Sequence, residues 1–170
     1  SVRTPREAVS LGLKDATIFT SLVESRLLRG NPDLFNRFIH RFRRRTLRQS
    51  ARLIHAIEES RRTERRQFGE TVYLLEPNVK RSRGGLRDLQ FLRWVGFARY
   101  GEADPENLER LGVLPTADRR ELRVAHEFLL RLRNELHFHA GKPQDSFSKA
   151  EQMRLAELGE YHGTDTLLPV

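Results

Sequence analysis

The chain is 170 residues long, 38% hydrophobic and 32% charged, and contains no cysteine. That length allows a domain with a real core, and the lack of cysteine excludes disulfides and thiolate metal sites. The net charge of +8 resides in one stretch: Arg37 to Arg66 holds eleven arginines and three glutamates, so the rest of the chain is neutral.

A basic segment of this kind suits an acidic partner, nucleic acid or nucleotide phosphates, and equally a solvated helix face. No apolar run approaches the length of a membrane span, and Ser1-Val2-Arg3-Thr4-Pro5 has no signal-peptide pattern. The chain is therefore expected to work in the cytoplasm, away from membranes. The composition favours a mainly α protein, a helical bundle with broad charged faces.

Thr4-Pro5-Arg6-Glu7 opens the first helix, with Thr4 as N-cap, Pro5 at the first position and Glu7 completing a capping box. It should run to about Lys14. Asp15 caps a second helix whose stripe is Ile18, Phe19, Leu22, Val23, Leu27 and Leu28, closed by Gly30. The β-branched residues there leave a strand open.

Asn31-Pro32-Asp33 starts the next helix. Leu34, Phe35, Phe38, Ile39 and Phe42 fall on one face, with Arg37, Arg41, Arg44 and Arg45 mostly off it. Leu47, Ala51, Ile54 and Ile57 continue the helical pattern to about Phe68, where Gly69 stops it.

Val72-Tyr73-Leu74-Leu75 reads as a short strand or extended segment entering a cationic loop, Glu76 to Gly85. Leu86 to Tyr100 follows as a strongly apolar helix, expected in the core. Asp104-Pro105 caps a short helix closed by Gly112. Thr116 caps a long one, Ala117 to about Ala140, with Gly141 as its stop. Its apolar positions are Leu122, Ala125, Phe128, Leu129, Leu132 and Leu136. Ser148 and Glu151 form a second capping box for a helix to about Leu158. The chain then runs to Leu168-Pro169-Val170 without a terminator, and its ends read as cut points in a longer protein.

The loop Glu76-Pro77-Asn78-Val79-Lys80-Arg81-Ser82-Arg83-Gly84-Gly85, running into Leu86-Arg87-Asp88, carries the most chemistry. Gly84 and Gly85 can take positive φ and admit close backbone approach. Helix-start N–H groups lack intrahelical partners, so with Lys80, Arg81, Arg83 and Arg87 they would make a phosphate cradle. The spacing matches neither a Walker A loop nor a dinucleotide fingerprint. A glycine turn that merely starts a helix fits equally well.

His137-x-His139 beside Glu135 is a poor metal site, because residues two apart on a helix face different ways. Glu24 and Arg26 sit inside an apolar stripe. They read as an internal salt bridge, or as a contact to a nucleotide or a neighbouring domain.

Glu76-Pro77-Asn78-Val79-Lys80 followed by Gly84-Gly85-Leu86-Arg87-Asp88-Leu89 resembles the signature of the PII-protein uridylyltransferases, the bifunctional uridylyl-transferring and uridylyl-removing enzymes of bacterial nitrogen signalling. A similar Lys…Gly-Gly-Ile-Arg pattern occurs in the related glutamine synthetase adenylyltransferases. The resemblance extends to Ser1-Val2-Arg3-Thr4, to Leu22-Val23-Glu24-Ser25-Arg26-Leu27-Leu28-x-Gly30, to Arg131-Leu132-Arg133-Asn134-Glu135-Leu136-His137 and to Gln152–Tyr161. These blocks cover nearly the whole chain in order.

The resemblance implies transfer of UMP from UTP onto a tyrosine of the regulatory protein PII, with Mg²⁺ neutralising phosphate charge. It implies that residues 1–30 end a nucleotidyltransferase domain and that 31–170 form a helical domain completing the nucleotide cleft. Lys80, Gly84, Gly85, Arg87, Asp88 and Arg26 would contact nucleotide: Lys80 and Arg87 by offsetting phosphate charge, the glycines by allowing close approach, Asp88 by holding the basic side chains or lying near the metal. No catalytic residue or metal ligand is expected in this chain, because the family's Gly-Ser and Asp-x-Asp motifs should precede Ser1, and its hydrolase and regulatory domains should follow Val170. The chain alone should be inactive. Position 83 is Arg where relatives often have Pro, which makes the loop more cationic. The competing reading is a basic helical module that binds nucleic acid or serves a structural interaction. It is disfavoured by the lack of a helix-turn-helix pattern and of interleaved aromatics.

Overall fold

The computed structural model describes residues 2–71 and 73–159. Ser1, Val72 and 160–170, with the expectations placed on Tyr161 and Leu168-Pro169-Val170, lie outside the described residues. Among those described there are eight α-helices and no strand: α1 Pro5–Gly12, α2 Ala16–Val23, α3 Pro32–Leu47, α4 Ser50–Phe68, α5 Leu86–Tyr100, α6 Pro105–Arg110, α7 Thr116–Ala140 and α8 Lys149–Leu158. The protein is mainly α, as its composition and periodicity indicate.

Helix starts fall where short polar side chains can satisfy the free N–H groups of a first turn. Thr4 and Glu7 form the reciprocal capping box of α1, and Asp15, Asn31 and Asp104 cap α2, α3 and α6. Ser148 caps α8 by accepting the Glu151 N–H, but the Glu151 carboxylate does not close a box. It pairs instead with Arg154 and His139, both charged or polar neighbours stronger than one backbone N–H.

Four boundaries differ from expectation; at one of them Thr116 is the first residue of α7 and not the cap before it. α2 ends at Val23, and Leu27 and Leu28 are exposed beyond it. The α3–α4 pattern is interrupted at Arg48-Gln49, and there Leu53 and Ile57 are buried while Leu47 is exposed. Residues 73–75 before the glycine loop are not in a strand: Tyr73 and Leu75 are almost fully exposed, and among the described residues the pairing nearby is an isolated antiparallel bridge, Asn78 with Ser146.

The chain divides into two compact units, Ser1–Thr63 with Gln90–Glu121, and Glu64–Leu89 with Leu122–Val170. In the first, Val9, Leu13, Phe19, Phe42, Leu53, Ile57, Trp94, Phe97 and Ala98 make one core. The Phe42 ring lies 5.4 Å from Phe19 and 5.2 Å from Phe97, within the range of favourable aromatic pairs. α5 is central there, as its apolar sequence predicts. Residues 5–23 share this core with α3. In the second unit the buried side chains among the described residues are Val79, Ser82, Leu86 and Leu136. This unit contains the glycine loop.

Candidate functional site

The loop from Asn78 to Asp88 is built from local hydrogen bonds. The Asn78 side-chain oxygen accepts the N–H groups of Lys80 and Arg81, an Asx turn that folds the chain back. Ser82, almost fully buried, accepts the Asn78 N–H at 2.9 Å and donates to the Phe68 carbonyl at 2.9 Å. The far side is pinned by a second segment: Val79 N–H donates to the Asp145 carbonyl, and Phe147 N–H to that of Pro77.

The amides at the start of α5 are already used. Leu86 N–H donates to the Val79 carbonyl at 3.0 Å and Arg87 N–H to that of Lys80 at 2.8 Å. Gly85 N–H bonds Ser82, and Gly84 N–H reaches the Asp88 carboxylate at 2.8 Å. The expected cradle of open backbone amides is therefore absent from this turn. Its donors go to the loop's own carbonyls and to the Asp88 carboxylate, because an unpaired N–H beside buried Val79 and Leu86 would cost free energy.

The glycines have a different role. Gly84 has φ of +80° and faces open space. A Cβ at Gly85 would lie 2.8 Å from the Val79 carbonyl oxygen and 3.0 Å from that of Lys80. The pair lets residues 79–80 close over the first turn of α5, which fixes where their side chains emerge.

Carboxylates organise most of the cations. Glu64 faces Arg81 at 3.5 Å and Arg87 at 3.6 Å. Arg81 also lies over the Phe68 ring, 4.6 Å from its centre. Asp88 takes Arg65 at 2.6 Å. Asp145 takes Arg133 at 2.6 Å and His137 at 3.1 Å. Arg83 is exposed. Lys80 differs from these: it is half-buried, and among the described residues it forms no ion pair. Burial, then the charge of Arg133, hold its ammonium below the ordinary lysine range, with Arg87 and Arg81 adding to the effect and Asp145 opposing it.

Of the predicted site residues, Lys80, Gly84, Gly85, Arg87 and Asp88 thus come together in one unit. Arg26 lies in the other unit, exposed. Its neighbour Glu24 pairs instead with Arg93 at 3.3 Å and with the Trp94 indole N–H at 3.2 Å. Asn78, Ser82, Glu64, Arg65, Arg133 and Asp145 were missed. An Asn three residues ahead of the Arg81 N–H is a readable turn signal, but the pairings to Phe68, Glu64 and Asp145 span too much chain to leave one.

His137 and His139 do diverge, to Asp145 and Glu151. Among the described residues no group of three or more His, Asp or Glu side chains is placed to hold a metal. No helix there is long and apolar enough to cross a membrane. Several arginines of the basic segment serve internal structure: Arg43 pairs with Glu102 and Arg52 with the Leu13 carbonyl, and Arg61 is buried, while Arg62 pairs with Glu59 on the exposed face of α4.

Fold and site together define a helical module that presents a glycine-hinged cationic loop. The model of the GlnD PII-uridylyltransferase family matches residues 52–170. The chain is 38% identical over 92% of its length to a bifunctional uridylyltransferase/uridylyl-removing enzyme of Aromatoleum aromaticum, and 37% identical over 96% to one of Burkholderia vietnamiensis. It is 33% identical over its whole length to the enzyme of the same description from Pseudomonas savastanoi pv. phaseolicola. It spans 18–19% of the length of these curated relatives. No solved structure matches it. The chain belongs to the GlnD PII-uridylyltransferase family.

Proposed function

We propose that this chain is the helical, cleft-completing part of an enzyme that transfers UMP from UTP to a tyrosine of PII, working in the cytoplasm. Residues 1–30 are read as the end of the nucleotidyltransferase domain and 31–170 as the associated helical domain. The observation that carries this reading is the half-buried Lys80, without an ion-pair partner among the described residues, on a loop whose backbone is fixed by its own hydrogen bonds. A positioned, partly desolvated cation favours an anion over water.

Lys80 and Arg87 meet nucleotide phosphate. Gly84 and Gly85 set the loop that presents them, and Asp88 locks that loop and holds Arg65. Arg26 is assigned a contact to nucleotide or to a neighbouring domain. Mg²⁺, held elsewhere in the enzyme, would supply neutralisation of phosphate charge. We assign its ligands, and the catalytic groups, to parts of the enzyme other than this chain.

The test is UMP transfer from UTP to PII by the full-length protein. Lys80→Ala and Arg87→Ala should each lower kcat/KM at least tenfold, about 1.4 kcal/mol, with helix content unchanged. Unaltered turnover in both variants would remove the site.

A further inference from the structure

We infer that Arg133 on α7 is a second phosphate-binding residue beside Lys80, and that Asp145 is the positioning residue that holds it there. The inference rests on the reading of the loop as a phosphate-facing surface, and it adds a residue from a helix that reading does not use.

Arg133 is tied to Asp145 through Nε alone, at 2.6 Å. Its two terminal nitrogens have no partner among the described residues, and its side chain is 26% exposed. A guanidinium anchored at Nε keeps both terminal N–H groups directed the same way, the geometry that grips a phosphate or carboxylate bidentately. Asp145 itself cannot drift. Its backbone carbonyl takes the Val79 N–H, and Ser146 bridges Asn78, so the carboxylate that aims Arg133 belongs to the same framework as Lys80.

Charge points the same way. One carboxylate, Asp145, faces Arg133, Lys80 and His137, with Arg87 and Arg81 also acting on Lys80 and both facing Glu64. The pair Lys80 and Arg133 therefore carries a positive charge in excess of its carboxylate in a partly desolvated place. Cations so placed are stabilised by an anion that satisfies their open donors. The ligand class is a phosphorylated one, recognised through its phosphates.

The experiment measures UTP and inorganic triphosphate binding by calorimetry on the full-length protein. Arg133→Gln should weaken both about tenfold or more, the scale of one charge-assisted contact. Arg133→Lys should recover part of the loss, because charge remains while the fork is gone. Asp145→Asn should raise KM for UTP with little change in kcat, since it releases the aim of Arg133 without touching the chemistry. If Arg133→Gln does not fold, the lysine variant decides, and wild-type affinity for triphosphate in it would overturn the inference. Wild-type affinity in Arg133→Gln, alongside weakened binding in Lys80→Ala, defeats the role of Arg133 and leaves the loop reading standing. Wild-type affinity in both variants defeats both.

Discussion

Asp88 accepts the N–H of Gly84 at 2.8 Å, four residues back across the glycine turn, while its other oxygen holds Arg65 at 2.6 Å. One carboxylate thus closes the loop and neutralises a cation of α4. It occupies the third position of α5, where negative charge also favours the helix dipole. Asp88→Ala removes all three effects. With Asp88 21% and Arg65 35% exposed, solvent screens the pair, and the expected loss is about 1–2 kcal/mol. Denaturant unfolding measures it, and Asp88→Asn should recover part by keeping a hydrogen-bond acceptor.

The two glycines should respond unequally. At Gly84 a Cβ meets nothing but the backbone stays left-handed, so Gly84→Ala costs about 1 kcal/mol. At Gly85 a Cβ would press on two carbonyl groups that cannot yield without breaking their bonds to Leu86 and Arg87. Gly85→Ala should cost about 2–3 kcal/mol and lower UTP affinity as the loop shifts. Equal effects in a denaturation series would contradict this account of the turn.

Much of this fold is legible in the sequence, because caps are local. Thr4, Asp15, Asn31, Asp104 and Ser148 each accept an N–H two or three residues ahead. Phe42, Ile57 and Leu136 are buried as their periodicity implies. Periodicity fails where, among the described residues, an apolar position is left uncovered: Phe128 on α7 is 54% exposed. The loop's cations are legible as a cluster. What its amides do is not, because the acceptors for Leu86 and Arg87 exist only once residues 79–80 fold back.

Phe42 has 0% exposure and packs against three aromatic rings. Phe42→Ala should cost about 3–5 kcal/mol. Phe138→Ser, on the exposed face of α7, should change stability by no more than about 0.5 kcal/mol. Thermal unfolding of the two variants separates a core position from a surface one that hydropathy alone would rank alike.

Acid should weaken the region that holds Arg133. Burial pushes the Asp145 carboxyl up, but hydrogen bonds from Arg133 and His137 and the charges of Arg133 and Lys80 outweigh it, so its pKa ends lowered. The Arg154 hydrogen bond, opposed by burial and helped by His139, lowers Glu151 in the same way. Groups depressed on folding stabilise the native state above their unfolded values of about 4, and that contribution is lost as pH falls through the folded pKa. Stability should therefore drop below about pH 4. In Asp145→Asn with Glu151→Gln the drop should be shallower, read from unfolding midpoints across the acid range.

Lys80 should show the opposite balance between stability and function. Its pKa is lowered by burial first and then by Arg133, which means the charged form is penalised by folding. The penalty is complete below the folded pKa and is relieved as pH rises toward the unfolded value of about 10.4. At neutral pH, Lys80→Met removes a penalised charge and keeps the apolar stem, so the variant should unfold at a higher temperature than the wild type. The same change removes the cation assigned to phosphate, and UTP affinity should fall at least tenfold, about 1.4 kcal/mol. A residue that lowers stability for the sake of a ligand leaves this paired signature, whereas a purely structural lysine would lose stability on replacement. Calorimetric melting and UTP titration of the one variant give both readings, and a lower melting temperature with unchanged affinity would assign Lys80 to the scaffold.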